Sequence, residues 1–298
     1  MRIGVVSNTE AVTFAHLERA CSAIQDQLRE VRVAWDLPQE ITIEPCRRRS
    51  NPKNVSYVTV AEHPLFLSAF RAPAHADESG EIDAQTAGEH GVIPGAGDAT
   101  NDRGQPYAQV RFTSDRAEDH YWWTVTLSHE CVEMAANPYM DRTVRAPPPA
   151  LFAASGHADG HEAVEYLMEI CDPCQSGWHA YPHEVPGGQP IWLSDFVLPR
   201  YFDPAAPSGP FSFKRSVTQP FEILRHGCLS WGVPATKKLW QQWKSEDGKL
   251  SDFICVRDWE YGSASVRQSL YDAQPDYKTH RVPHQRRVAE ALRARKPS

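Results

Sequence analysis

The sequence predicts an α+β domain, in which a mixed sheet packs on a backing helix and on a second, apolar helix that carries a polar site, followed by an irregular β-rich C-terminal part. Three observations lead there. Short runs rich in β-branched residues recur early in the chain. One long segment places apolar residues at helical spacing. A second helical segment is apolar over much of its surface yet contains His129, Glu130 and Glu133.

In chain order, Ile3–Val6 reads as a short buried strand. Glu10 to about Val33 reads as the backing helix, with Leu17, Ala20, Cys21, Ile24, Leu28 and Val31 on one stripe. Pro38 breaks the chain, Ile41–Ile43 alternates like a strand, and Val55–Ala61 forms another. The stretch from about Pro73 to Pro106 is dense in Gly, Asp, Ala and Pro and reads as loop. Tyr107–Phe112 gives one more strand. The second helix is expected over about 119–137, with Asp119 as its N-cap and Asn137-Pro138 as its end. Residues 145–160, which include Pro147-Pro148-Pro149, read as a surface insertion, and Glu162 to about Ile170 as helical. From Pro190 to about Val233 short strands and turns are expected, with a hairpin around His226-Gly227. Residues 1–235 form the main domain in this reading, and 236–298 a C-terminal extension ending in a basic tail.

Composition narrows the function classes. Hydrophobic residues at 41% and charged residues at 23% are ordinary globular usage, so wholesale disorder is not expected. The net charge of -7 argues against nucleic acid as a partner of the whole chain. From Lys278 onward seven basic residues face one acid, Glu290, a local +6 that leaves -13 on the remainder. Such a tail suits an acidic partner or a solvated terminal helix. No apolar signal core follows Met1, and no run approaches a membrane span. Seven scattered cysteines argue against a disulfide framework, so a reducing cytoplasm is the expected setting.

The chemistry centres on Ser128-His129-Glu130-Cys131-Val132-Glu133. His129 and Glu133 are one helical turn apart and project from the same face, where both can reach one metal ion at about 2.0–2.2 Å. Glu130 flanks that face and can take a proton from a metal-activated water, as the glutamate of His-Glu-x-x-His zinc proteases does. Here glutamate stands in place of the second histidine. Trp122, Trp123, Val125, Leu127, Val132 and Met134 imply that the helix is buried, and burying three ionisable groups on it is costly unless they pair or hold a metal. A third ligand is offered by Glu169-Ile170-Cys171-Asp172-Pro173, from Glu169 or from Asp172, with the other free to orient a ligand from behind. Asp195 and Tyr166 are further candidates for that supporting role, and Tyr166, Tyr181 and Tyr201 are candidate phenols for polarising a carbonyl. Zn2+ is the expected ion, with Mn2+ or Fe2+ as alternatives suited to a carboxylate-rich site.

Three ordered motifs carry a resemblance. Thr126 to Pro138 (with Ser-His-Glu-x-x-Glu-Met), Glu169-Ile170-Cys171-Asp172 and Ser194-Asp195-Phe196-Val197 resemble a bacterial family carrying Ser-His-Glu-x-x-Glu-Met-x-x-Asp-Pro, Glu-Val-Cys-Asp and Ser-Asp-Phe-Val. The opening Ile3 to Thr9 fits as well, and the likeness covers most of residues 1–235. A more distant one is to plant EXORDIUM-type proteins. The resemblance implies a zincin-like metallopeptidase fold with a metal site, and hence a peptide or protein substrate. The 145–160 insertion and the tail after about Asp252 depart from that family. A zincin-shaped binding or scaffold protein without turnover is the alternative. Cys171 in Cys171-Asp172-Pro173-Cys174 reads as a buried small side chain, and the His157/His161 and His179/His183 pairs as surface histidines.

Overall fold

The computed structural model describes residues 1–47, 55–61, 88–93, 105–112, 122–158, 160, 162–175, 177–245 and 247–258. Asp119, Trp122's side chain, His161 and the basic tail lie outside what is described.

The first sheet is mixed, in the order β2-β1-β3-β5-β4. Its strands are β1 (Arg2–Ser7), β2 (Thr42–Cys46), β3 (Val55–Ala61), β4 (Gly88–Ile93) and β5 (Gln105–Arg111). β1 pairs in parallel with β2 and β3, and β3 with β5, while β4 closes the edge antiparallel to β5. β4 lies inside the stretch expected to be loop. Its Gly-Glu-His-Gly start has little β-propensity, so pairing to β5 rather than composition makes it a strand.

Helix α1 (Phe14–Ala34) follows β1. It starts four residues later than expected because Thr13 caps it. The Thr13 hydroxyl accepts from His16 N at 3.3 Å, and His16 Nδ1 accepts from Thr13 N at 3.3 Å. The six stripe residues are all buried, as the spacing predicts. Helix α2 (Trp122–Ala136) packs beside α1 and against β3, β4 and β5. From Trp123 to Ala136 every residue is buried, so its few polar side chains face protein rather than water.

A second, wholly antiparallel sheet has the order β12-β11-β10-β7-β6. It comprises β6 (Thr143–Ala146), β7 (Val164–Leu167), β10 (Cys228–Val233), β11 (Lys238–Trp243) and β12 (Ile254–Asp258). The short hairpin of β8 (Tyr181–His183) and β9 (Ile191–Leu193) lies against α2 through β9. One hydrophobic cluster runs through both sheets and both long helices, from Ile3 and Leu17 to Trp231 and Trp240.

Three expectations are corrected here, and one is refined. Val164–Leu167 is a strand, not part of a helix, because Val164 and Tyr166 alternate with half-buried Glu165 between β6 and β10. Residues 145–160 lie mostly at the surface, as expected, but are anchored to the body of the protein. Arg145 and Ala146 pair with β7, and helix α3 (Ala150–Ala154) sends Phe152 into the core. There its ring meets Trp231, Trp240 and Phe253 edge-on, with centroids 5.1, 5.1 and 5.2 Å away. The hairpin expected at His226-Gly227 instead joins β10 to β11, with Val233 opposite Lys238. That hairpin crosses the 235/236 boundary, and β11 and β12 complete the second sheet, so the described part of the extension belongs to the same body.

Candidate metal centre

Helix α2 presents His129, Glu130 and Glu133, buried to 6%, 1% and 0% exposure. The segment after β7 passes through Glu169 and Ile170, pinned by Val197 N donating to the Ile170 carbonyl at 2.7 Å. It then tightens into a 3-10 turn over Asp172–Cys174. That turn brings Cys171 and Asp172 against the helix.

The donor atoms converge. His129 Nε2 lies 3.1 Å from Glu133 Oε2 and 3.5 Å from Asp172 Oδ1, yet it makes no hydrogen bond of acceptable geometry. The other oxygen of each carboxylate is held elsewhere. Glu133 Oε1 accepts from Cys171 N at 3.3 Å, and Asp172 Oδ2 accepts from the Cys228 thiol at 3.2 Å. Ligands of a tetrahedral ion bound at about 2.0–2.2 Å are separated by roughly 3.3–3.6 Å, close to both spacings. The spacings suit a shared divalent cation, and they suit equally an ion pair between a protonated His129 and Glu133. Two triads meet the spacing a metal needs, His129/Glu133/Cys171 and Glu133/Glu169/Asp172, each with donor atoms within 4.8 Å of one another.

Charge adds to this. Burial disfavours the His129 imidazolium, but the carboxylates of Glu133, Glu130 and Asp172 outweigh it and raise the ring's pKa above its ordinary value. Burial first, then the charge of Glu133, pushes the Cys171 thiol well above its ordinary value, so without a cation it keeps its proton. A cation at this point would neutralise the carboxylates and favour the neutral ring and the thiolate together.

Asn137 organises the back of the site. Its Oδ1 accepts from Asp141 N at 2.9 Å and Arg142 N at 2.8 Å, and its Nδ2 donates to Glu169 Oε1 at 3.3 Å. The Arg142 guanidinium caps the helix by donating to the Ala136 carbonyl at 2.8 Å. Glu169 is thus oriented by the residue that ends α2. Ser128 ties the third motif in, accepting from Ser194 N at 2.8 Å while donating to the Val125 carbonyl at 2.9 Å. Gln27 of α1 donates to the Ser194 carbonyl at 2.7 Å.

The structure brings His129, Glu133, Glu169 and Asp172 together, with Glu130 close enough to act on the His129 charge. Asp195 is occupied differently. It accepts from Phe196 N and Lys214 N, both at 2.9 Å, and from the Ser216 hydroxyl at 2.5 Å, which joins the 194–197 segment to the loop after it. Tyr166 and Tyr201 donate their hydroxyls to the carbonyls of Pro147 and Glu222, at 2.9 and 3.2 Å. The Tyr181 ring lies under the Lys214 ammonium, 4.7 Å away. His157 packs on Trp240, and His183 meets Asp26 at 3.2 Å.

Cys171 was read as a buried small side chain, which it is, while the roles of Asn137 and Cys228 escaped the sequence reading. Cys171 sits between two suspected ligands and its position alone marked it. Asn137 looked like a helix stop and nothing more. Cys228 is 56 residues from the aspartate it touches, and no local pattern connects them. No protein-family model, curated protein or solved structure matches this chain.

Proposed function

We propose that the chain is a metal-dependent hydrolase, a zincin-like peptidase whose ion is held by His129 and Glu133 together with a donor from the Glu169–Asp172 segment. The observation that carries the reading is the convergence of two carboxylate oxygens on His129 Nε2, at 3.1 and 3.5 Å, inside a buried helix-turn junction. Asp172 Oδ1 lies 3.5 Å from the imidazole Nε2, and Glu169, one of whose oxygens accepts from Asn137, shares a donor cluster with Glu133 and Asp172. Cys171 is a soft donor in reach of the same point, which favours Zn2+ over Mn2+ or Fe2+.

A divalent ion in such a site makes water acidic enough to act as a nucleophile near neutral pH and polarises a substrate carbonyl. The chain's own residues supply the rest. Glu130, next to His129 and buried, receives the proton and returns it to the leaving amine. Cys171 N–H and the Cys228 thiol fix the carboxylates of Glu133 and Asp172, and Asn137 fixes Glu169. Burial of the site lowers the local dielectric and strengthens each of these contacts.

The test combines elemental analysis of the purified protein with a peptide-library screen. One zinc per chain, lost in His129→Ala, together with cleavage lost in Glu130→Gln at unchanged zinc content, is the expected result. A protein without metal after soaking in Zn2+ refutes it.

The burial of every ligand favours one second reading, a structural ion that locks α2 to the 171–174 turn in a binding protein. In that case Glu130→Gln leaves function intact, whereas removing the metal lowers the melting temperature.

A further inference from the structure

Beyond the centre lies an open cleft of about 690 Å3 lined by Trp178, His179, Leu224, Arg225, His226 and Lys244. Among the described residues that line it, the charged ones are both cations, joined by two imidazoles. Arg225 is exposed and Lys244 half-buried, and neither pairs with a carboxylate among the described residues. Among the described residues nearby, the acid Asp247 is engaged by Lys249 at 2.7 Å. Trp178, 43% exposed overall, is among the lining residues and offers an apolar platform beside the cations.

The wall of this cleft is attached to the turn that delivers Asp172. Leu224 N donates to the Pro173 carbonyl at 2.9 Å, Gln175 Nε2 donates to the His226 carbonyl at 2.9 Å, and Cys228 reaches Asp172 itself. The two segments touch so closely at Gly227 that an added Cβ would fall 2.4 Å from the Pro173 oxygen. His226, immediately before it, is a non-glycine residue at φ 65°, in the left-handed region, and its N–H donates to the Lys244 carbonyl at 2.7 Å. Backbone held in a sparsely populated conformation is a feature that accumulates at binding sites.

Arg225 precedes Cys228 by three residues, so their Cα atoms are at most about 11 Å apart. An extended peptide advances about 3.3 Å per residue. A group held at the cleft is therefore within about five residues of a bond presented to the centre. We propose that the cleft is the substrate subsite of the metal centre and selects peptides with a carboxylate there, from the chain's C-terminus or from an Asp or Glu side chain. This rests on the hydrolase reading for the word substrate, while the binding preference itself does not. Arginine grips a carboxylate through two parallel N–H bonds, lysine adds a point charge, and the indole face takes an apolar neighbour.

The experiment is calorimetric titration of the full chain with acetyl-Phe-Ala-Ala-Glu, its C-terminal amide, the Glu→Gln peptide, and the peptide bearing both changes. The acidic peptide is expected to bind at least tenfold more tightly than the doubly neutral one. Whichever single change removes the preference identifies the carboxylate recognised. Arg225→Ala and Lys244→Ala should each abolish most of the preference at unchanged zinc content. Equal affinity for acidic and neutral peptides overturns the proposal, as does a preference that both variants retain. Binding of inorganic phosphate without any preference for the acidic peptide also overturns it. The two readings separate in the parent protein: a preference for the acidic peptide in parent protein that takes up no metal after soaking in Zn2+ sinks the hydrolase and leaves the carboxylate subsite standing.

Discussion

Replacing Asn137 by alanine tests whether one buried amide holds the centre in register. The side chain makes three hydrogen bonds, to two backbone amides and to the Glu169 carboxylate, at 0% exposure. The two neutral bonds are worth about 1 kcal/mol each, and the one to a carboxylate about 1.5–3 kcal/mol. Asp141 and Arg142 are only half-buried, so water replaces part of what their amides lose. The sum is a destabilisation of about 3–5 kcal/mol. For a chain of this size about 1 kcal/mol lowers the melting point by roughly 2–4 °C, which gives a fall of at least about 6 °C. Loss of orientation behind a ligand also weakens metal binding by about 10–100-fold. The assay is thermal denaturation of metal-free protein, followed by competitive Zn2+ titration. Asn137→Asp is the control, because it keeps Oδ1 for the two amides and places a second carboxylate against Glu169. At neutral pH it should also melt below the parent, because the new charge is buried against Glu169, and it should recover as acid protonates one of the two carboxylates. An Asn137→Ala protein melting within about 2 °C of the parent would refute the reasoning.

Four further outcomes are expected. Glu130→Gln should lower peptide cleavage by about 10²–10⁴-fold with zinc content and melting point unchanged, and a smaller loss would show that another group moves the proton. Gly227→Ala forces Pro173 away from a Cβ placed 2.4 Å from its oxygen, so the Asp172 turn shifts and zinc affinity falls, read by the same titration; unchanged affinity would show that the turn moves without Asp172. Phe152→Ala empties a site enclosed by Trp231, Trp240 and Phe253 and should cost about 3–5 kcal/mol in urea denaturation, against less than about 0.5 kcal/mol for a change at its exposed neighbour Leu151. Burial raises the pKa of Asp195, and hydrogen bonds from Ser216 and Lys214 only partly offset it. The folded state therefore holds that proton to higher pH than the unfolded chain. The contribution of Asp195 to stability is fully present below its unfolded pKa of about 3.9 and declines as pH rises through the folded value. Relative to Asp195→Asn, the parent should lose urea resistance over that window, and a difference that grows with pH would contradict the assignment.

Much of the first half of the chain was legible because its signals are local. The stripe of α1 is fixed by spacing, and the capped entry at Thr13 shifted only its first residue. β1, β3 and β5 follow from short β-branched or aromatic runs. β4 and β7 were not legible. Each is a strand because a neighbour supplies its hydrogen bonds, and Val164-Glu165-Tyr166-Leu167 is too short to separate a period of 2 from one of 3.6. The same limit hid the core role of Phe152, whose partners lie about 80 to 100 residues later in the chain.

For the centre, the sequence by itself determined the pair on one helical face. His129 and Glu133 are four apart, and helix geometry alone makes them neighbours. It also marked Glu169 and Asp172 as acids in an apolar context, without choosing between them. Only the tertiary structure turned Asp172 toward His129 and Glu169 toward Asn137, and only it added Cys171 and set Cys228 behind the aspartate. Spacing along one element fixes directions because the backbone is regular. Contacts between elements depend on how a turn is packed, and that packing is set by residues tens of positions away.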